Sequence, residues 1–158
     1  LQIENQKLET KIHKLISTCL GIGYIKGGGT IAAMAVCICW YFICKNGCSH
    51  IFEIAATISI TGIGIWSSGK LEKDWGKDSS KIVIDEVAGM CVSLLFLPTA
   101  VKYIFAAFIL FRFFDITKPL YIRRLEKLPL GWGVMADDLL SGIYANLIMQ
   151  IIVAFNLF

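Results

Sequence analysis

The sequence predicts an all-α integral membrane protein, with about five short transmembrane or membrane-embedded helices behind an N-terminal amphipathic helix. Three observations carry this expectation. Apolar residues make up 56% of the 158 positions, above the roughly 45–50% of soluble domains. Charged residues are only 17%, where about 25% is usual. The apolar residues also gather in runs separated by turn signals, so lipid is the simpler solvent for them. A chain this long reads as one domain, 1–158, with residues 1–18 as the amphipathic helix and 19–158 as the core.

Taken in order, Ile3, Leu8, Ile12, Leu15 and Ile16 recur at near-helical spacing with lysines between them. This predicts a helix that lies in the membrane interface or packs on its own domain. The mixture of Glu4, Glu9, Lys7, Lys11 and Lys14 is unlike a cleavable secretory signal. A glycine-rich stretch follows, with Gly21, Gly23 and then Gly27-Gly28-Gly29-Thr30. Apolar runs are expected near 30–44, 51–67, 87–98, 100–114 and 139–158, with turns at Asn46-Gly47 and Pro98-Thr99. Residues 68–86 and 115–138 are the longer polar connections. Several runs fall short of the roughly 20 residues a perpendicular span needs, which implies thinning, snorkelling or partial insertion.

Charge placement orients the chain. With the amino end cytoplasmic, residues 1–29, 68–86 and 112–138 share one side, and only Lys45 and Lys102 among the fifteen Lys/Arg fall opposite. Eleven of the twelve acidic residues share that side too, leaving Glu53 outside. Acidic residues carry little topological information, so their confinement needs another cause. Cysteines at 19, 37, 39, 44, 48 and 91 mostly sit in apolar runs as small hydrophobes. Cys44 and Cys48 flank a turn and could pair, but the expectation is free thiols, and no His/Cys set completes a zinc site. No basic stripe with interleaved aromatics suggests nucleic acid. The patterns set no oligomeric state, and a homo-oligomer is compatible with them.

Four clusters converge on the cytoplasmic face. The glycine run ending in Gly29-Thr30 opens a helix, where backbone N–H groups can approach an anion; a flexible loop is the plainer alternative. Asp74 and Asp78, four apart, would share a helix face, and Asp85-Glu86 stand in an apolar run where two adjacent carboxylates are costly without a function. Arg112, Asp115 and Lys118, spaced by three, share a helix face before Pro119, as an end-anchoring ion pair or as a functional triad. Asp137-Asp138 follow Gly131-Trp132-Gly133 and are expected at the start of the last helix, where its dipole or a bridging cation would hold them. Seven of the twelve acidic residues belong to these clusters. Hard oxygen ligands of this kind suit Mg²⁺, and Arg112, Lys118, Arg123 and Arg124 could neutralise a phosphate.

Absences narrow the chemistry. No Cys stands six positions before an arginine, no Asp-x-Asp motif is present, and His13 and His50 lie apart from the clusters. Metal-assisted attack by water remains. At this point three runs, Ile84-Asp85-Glu86-Val87-Ala88-Gly89-Met90, Phe111 to Pro119, and Gly131 to Asp138, together with Gly21 to Thr30, resemble the phosphatidylglycerophosphatase A family. The resemblance covers about residues 18–150, with four motifs in the family's order. It implies a bacterial, multi-pass enzyme of the cytoplasmic membrane that uses Mg²⁺ at the cytoplasmic face. Its substrate would be phosphatidylglycerophosphate and its product phosphatidylglycerol.

Carried over position by position, Asp85, Glu86, Asp115, Asp137 and Asp138 match the family's acidic residues; Thr30, Arg112 and Lys118 match its polar and basic ones. Glu86 with Asp137 and Asp138 is the expected Mg²⁺ set, assisted by Asp85 or Asp115. Gly29, Lys26 and Arg123 join Thr30, Arg112 and Lys118 as expected substrate contacts. The loop departs from the family in one respect, carrying Lys26 and Gly28 where prolines are usual. A covalent aspartyl-phosphate is an alternative to direct hydrolysis. Two other readings stay open: a CDP-alcohol phospholipid transferase, against which stands the lack of any Asp-Gly, and a transporter or channel, whose carboxylates belong nearer mid-membrane.

Overall fold

The computed structural model describes residues 2–76, 79–119, 121–125 and 128–157, and only the backbone of residues 2, 3, 5, 6 and 73. All regular structure among them is helical. The order is α1 (Gln2–Ser17), a 3-10 turn (Ile22–Tyr24), α2 (Gly28–Cys44), α3 (His50–Trp75), α4 (Ile84–Leu94), α5 (Val101–Thr117), α6 (Ile122–Leu125) and α7 (Gly131–Ala154).

α1 lies against α3. Its inward face is polar: Ser17 Oγ and Ser67 Oγ are 2.8 Å apart, Ser67 Oγ donates to His13 O, and the His13 ring meets Trp66 edge-on. Leu8, Ile12 and Leu15 point outward and are exposed, while Ile16 packs inward. The helix therefore joins its own domain and still presents an apolar stripe. It ends where Cys19 and Leu20 turn left-handed.

α4 is the hub, packing on α2, α3, α5 and α7. Its approach to α7 depends on two glycines. A Cβ on Gly89 would stand 2.6 Å from Asp138 O, and one on Gly142 would stand 2.3 Å from Gly89 O. Below this contact Met90, Leu94, Phe111 and Met149 fill the core. α7 also satisfies carbonyls at the end of α4, through Asn146 Nδ2 to Ser93 O and Leu95 O and Gln150 Nε2 to Leu95 O. Those bonds meet acceptors that a helix end otherwise leaves open. The outer faces carry exposed Phe42, Ile51, Ile58, Phe105 and Leu147, more apolar surface than a water-facing fold usually shows.

Several boundaries differ from the sequence expectation. By length and composition, α3 (His50–Glu72) and α7 are the two helices among the described residues able to cross a bilayer; α2 is apolar but shorter. The expected run 51–67 extends to Trp75, which puts Asp74 on an exposed turn of α3; Asp78 lies outside the described residues. α7 begins at Gly131, so Asp137 and Asp138 stand in its second turn rather than at its start. The glycines there open no loop, because a Cβ at Gly131 would sit 2.1 Å from Ile65 O and the bare backbone lets α7 close on α3. Cys44 and Cys48, expected as free thiols, are joined as a disulfide. Gly47, at φ 95, turns the chain so that their Cα atoms come within 4.7 Å, a bridgeable distance.

Candidate active site

One cavity of about 610 Å³ gathers residues from five parts of the chain, the connection before α4 among them. The glycine loop and the start of α2 bring Lys26, Gly29 and Thr30. α4 brings Asp85 and Glu86, the end of α5 brings Arg112, Asp115 and Lys118, and α7 brings Asp137 and Asp138. The close α4–α7 contact at Gly89 sets the two acidic pairs face to face.

Local conformation aims these groups. Gly27, at φ 79, caps α2 and turns the loop over the cavity. Gly29 faces Glu86 so closely that a Cβ would fall 1.8 Å from Glu86 Oε1. Lys118 caps α5 in the left-handed region, at φ 44, and its Nζ donates to Asp137 Oδ2 at 2.6 Å. One turn earlier Arg112 Nη1 donates to Asp115 Oδ2, and both side chains are mostly buried. The Glu86 amide donates to Asp85 Oδ1 at 3.1 Å.

Five carboxylates thus face two cations inside the cavity, with exposed Lys26 and Lys81 at its rim. Such an excess of like charge in a partly buried space favours a bound cation. Oxygens of Asp85, Glu86 and Asp138 lie within 4.8 Å of one another. Oxygens sharing one small octahedral cation lie at most about 4.2 Å apart, a spacing close to that of these three. Among the described residues, Glu86 Oε2 and Asp138 Oδ2 are buried without a hydrogen-bond partner, as is Arg112 Nε. Orphaned acceptors on two of the three carboxylates fit a metal ion. Nearby, burial pushes the Cys19 thiol up to about 11, and the Glu86 carboxylate adds to the effect. That thiol stays neutral near pH 7.

Two expected residues fall outside the cavity. Arg123 lies on α6, exposed and outside the cavity lining, as does Asp74 on α3. α6 packs on α7 through buried Ile122, which turns its arginines outward. Asp137, expected among the metal ligands, lines the cavity with the other carboxylates and accepts from Lys118 Nζ through Oδ2. Ser79, Ser80 and Lys81 line the cavity and were missed. The one available signal was their place four to six residues before Asp85, in a stretch read as a plain polar connection.

Comparison with known proteins sets this arrangement in a class, the phosphatases. A family model described as "Phosphatidylglycerophosphatase A" matches residues 15–153, and the chain belongs to that family. A Bacteroides thetaiotaomicron relative named "Putative phosphatidylinositol-3-phosphatase" is 38% identical, over 87% of this chain and 91% of its own length. Phosphatidylglycerophosphatase A of Escherichia coli is 31% identical, over 78% of this chain and 73% of its own. The Haemophilus influenzae protein of that name is 43% identical over 55% of each. No solved structure matches the chain significantly.

Proposed function

We propose that this chain is a Mg²⁺-dependent lipid phosphatase of a bacterial cytoplasmic membrane that removes the terminal phosphate of phosphatidylglycerophosphate. The observation that carries the reading is the meeting of Asp85, Glu86 and Asp138 with Arg112 and Lys118 in one cavity. Asp85, Glu86 and Asp138 would hold the cation. Bound there, Mg²⁺ would supply Lewis-acid neutralisation of the phosphoryl oxygens.

The chain's own groups account for the rest. Arg112 and Lys118, held in place by Asp115 and Asp137, face the equatorial oxygens and stabilise charge as it develops. Thr30 and the N–H groups at the start of α2 stand on another wall and favour an anion. A water oxygen bonds to phosphorus as the ester P–O bond breaks. A cavity carboxylate takes the water's proton, and a proton returns to the departing alkoxide. The products are inorganic phosphate and the lipid alcohol.

Multi-pass insertion with the cavity on the cytoplasmic side is supported by the lysine and arginine distribution and by the exposed apolar faces. The disulfide at the opposite end of α2 agrees with this, since oxidised pairs persist outside the cytoplasm. A phosphatidylinositol phosphate is the second substrate reading, favoured by the name of the Bacteroides relative. The test is phosphate release by purified protein from each lipid, with Mg²⁺ and with EDTA. Release from phosphatidylglycerophosphate that EDTA abolishes, and that Glu86→Gln lacks while still inserting, is the expected result. Full activity in EDTA or in Glu86→Gln would remove the metal site.

A further inference from the structure

A second feature begins where the polar cavity ends. α2 and α3 both pack on α4, and between them runs an apolar groove of about 380 Å³. Ala32, Ala35 and Cys39 form one wall, Ala56 and Ile60 the other. Val87 and Cys91 of α4 also line it, and Cys44 and Phe52 stand where the two helices are joined.

The groove and the cavity are lined by neighbouring residues of the same segments. Ile22 lines the groove and the next residue, Gly23, lines the cavity. Glu86 lines the cavity and Val87 lines the groove; Thr30 and Ala32 divide in the same way. Cys19 of the groove feels the Glu86 carboxylate of the cavity. From Ala32 to Cys44 the helix rises about 18 Å, close to the roughly 15 Å hydrocarbon depth of one leaflet. Ala32 and Ala35 on one wall and Ala56 on the other narrow neither side there, while Trp40, Ile43 and Phe52 line the groove toward its far end.

We propose that this groove holds an acyl chain of the lipid whose phosphate occupies the cavity. The assignment rests on the phosphatase reading above and deepens it. Hydrocarbon gains little by leaving one apolar medium for another, so the groove contributes orientation. Seating one tail along α2 fixes where the headgroup phosphate meets Asp85, Glu86 and Arg112, which makes turnover depend on tail length.

The test compares dioleoyl with dihexanoyl phosphatidylglycerophosphate in detergent, for the full chain and for Ala35→Trp and Ala56→Trp, which fill the slot from opposite walls. The expected result is at least a tenfold fall in the ratio of kcat/KM for the long over the short lipid, in both variants. Ile58→Trp, on an exposed face of α3 outside the groove, should leave that ratio alone. An equal loss on both lipids, or no change in the ratio, overturns the proposal.

Photolabelling separates this proposal from the phosphatase reading. Phosphatidylglycerophosphate carrying a diazirine in its tail should mark Ala35, Cys39 or Ala56 in the wild-type chain, and a phosphatidylcholine with the same tail should mark them far less. Labelling spread evenly over Ile58 and other outer positions refutes the groove. Groove labelling without any phosphate release refutes the phosphatase reading alone.

Discussion

Replacing Gly29 by alanine should separate activity from stability. An added Cβ would lie 1.8 Å from Glu86 Oε1 and 2.6 Å from Glu86 Cδ. Ordinary contact begins near 3.4 Å, so the carboxylate must retreat by about 1.6 Å, a movement the repulsive wall makes obligatory. Because the clash is with the far end of a flexible side chain, the helix itself need not move. An off-rotamer Glu86 costs about 0.5–1.5 kcal/mol, and replacing glycine within a helix returns up to about 1 kcal/mol. Net stability should therefore stay within about 1.5 kcal/mol of the wild type.

The effect on turnover should be much larger. A misplacement of about 1 Å at a reacting centre can cost roughly a hundredfold, equivalent to about 2.7 kcal/mol of transition-state stabilisation. Phosphate release and thermal unfolding in the same detergent measure the two quantities side by side. An alanine variant with wild-type kcat/KM would show that Glu86 takes no part where the structure sets it. A variant whose activity falls only because it unfolds would refute the steric argument.

Gly89→Ala and Gly142→Ala meet backbone instead; each should lower stability by about 1–3 kcal/mol and lose activity as α4 parts from α7, read by denaturation and phosphate release. Lys118→Met should leave the buried Asp137 carboxylate poorly satisfied, costing about 1–3 kcal/mol, and adding Asp137→Asn should recover part of that stability but none of the turnover. Glu53, buried at the far end, accepts a hydrogen bond from Phe96 N at 3.1 Å and meets His50 Nδ1 at 3.3 Å; Glu53→Ala should destabilise by about 1–3 kcal/mol while turnover per folded molecule holds. In intact cells an impermeant reductant followed by an impermeant maleimide should label Cys44 and Cys48, and labelling only after lysis would reverse the proposed orientation.

Much of the site was legible because charge in an apolar run is costly enough to mark itself. Asp85-Glu86, Arg112-x-x-Asp115-x-x-Lys118 and Asp137-Asp138 stand out against their neighbours, and all of them line one cavity. Ser79 and Ser80 were missed because a polar residue in a polar stretch carries no such contrast. Arg123 misled for a related reason: a cation beside a motif looks the same in sequence whether its helix turns it inward or outward. The start of α7 was misjudged because glycine reads as a breaker along the chain, whereas here Gly131 serves a close approach to α3.

The sequence by itself determined the helical class and the acidic and basic side chains available, since these follow from composition, spacing and solvation. Only the tertiary structure decided which carboxylates share oxygens within 4.8 Å, that Lys118 engages Asp137, and that an apolar slot opens beside them. Those outcomes depend on how closely α4, α7 and α2 approach. That distance is set by what each glycine meets on another helix, such as Gly89 against Asp138 O and Gly131 against Ile65 O, so no local pattern contains it.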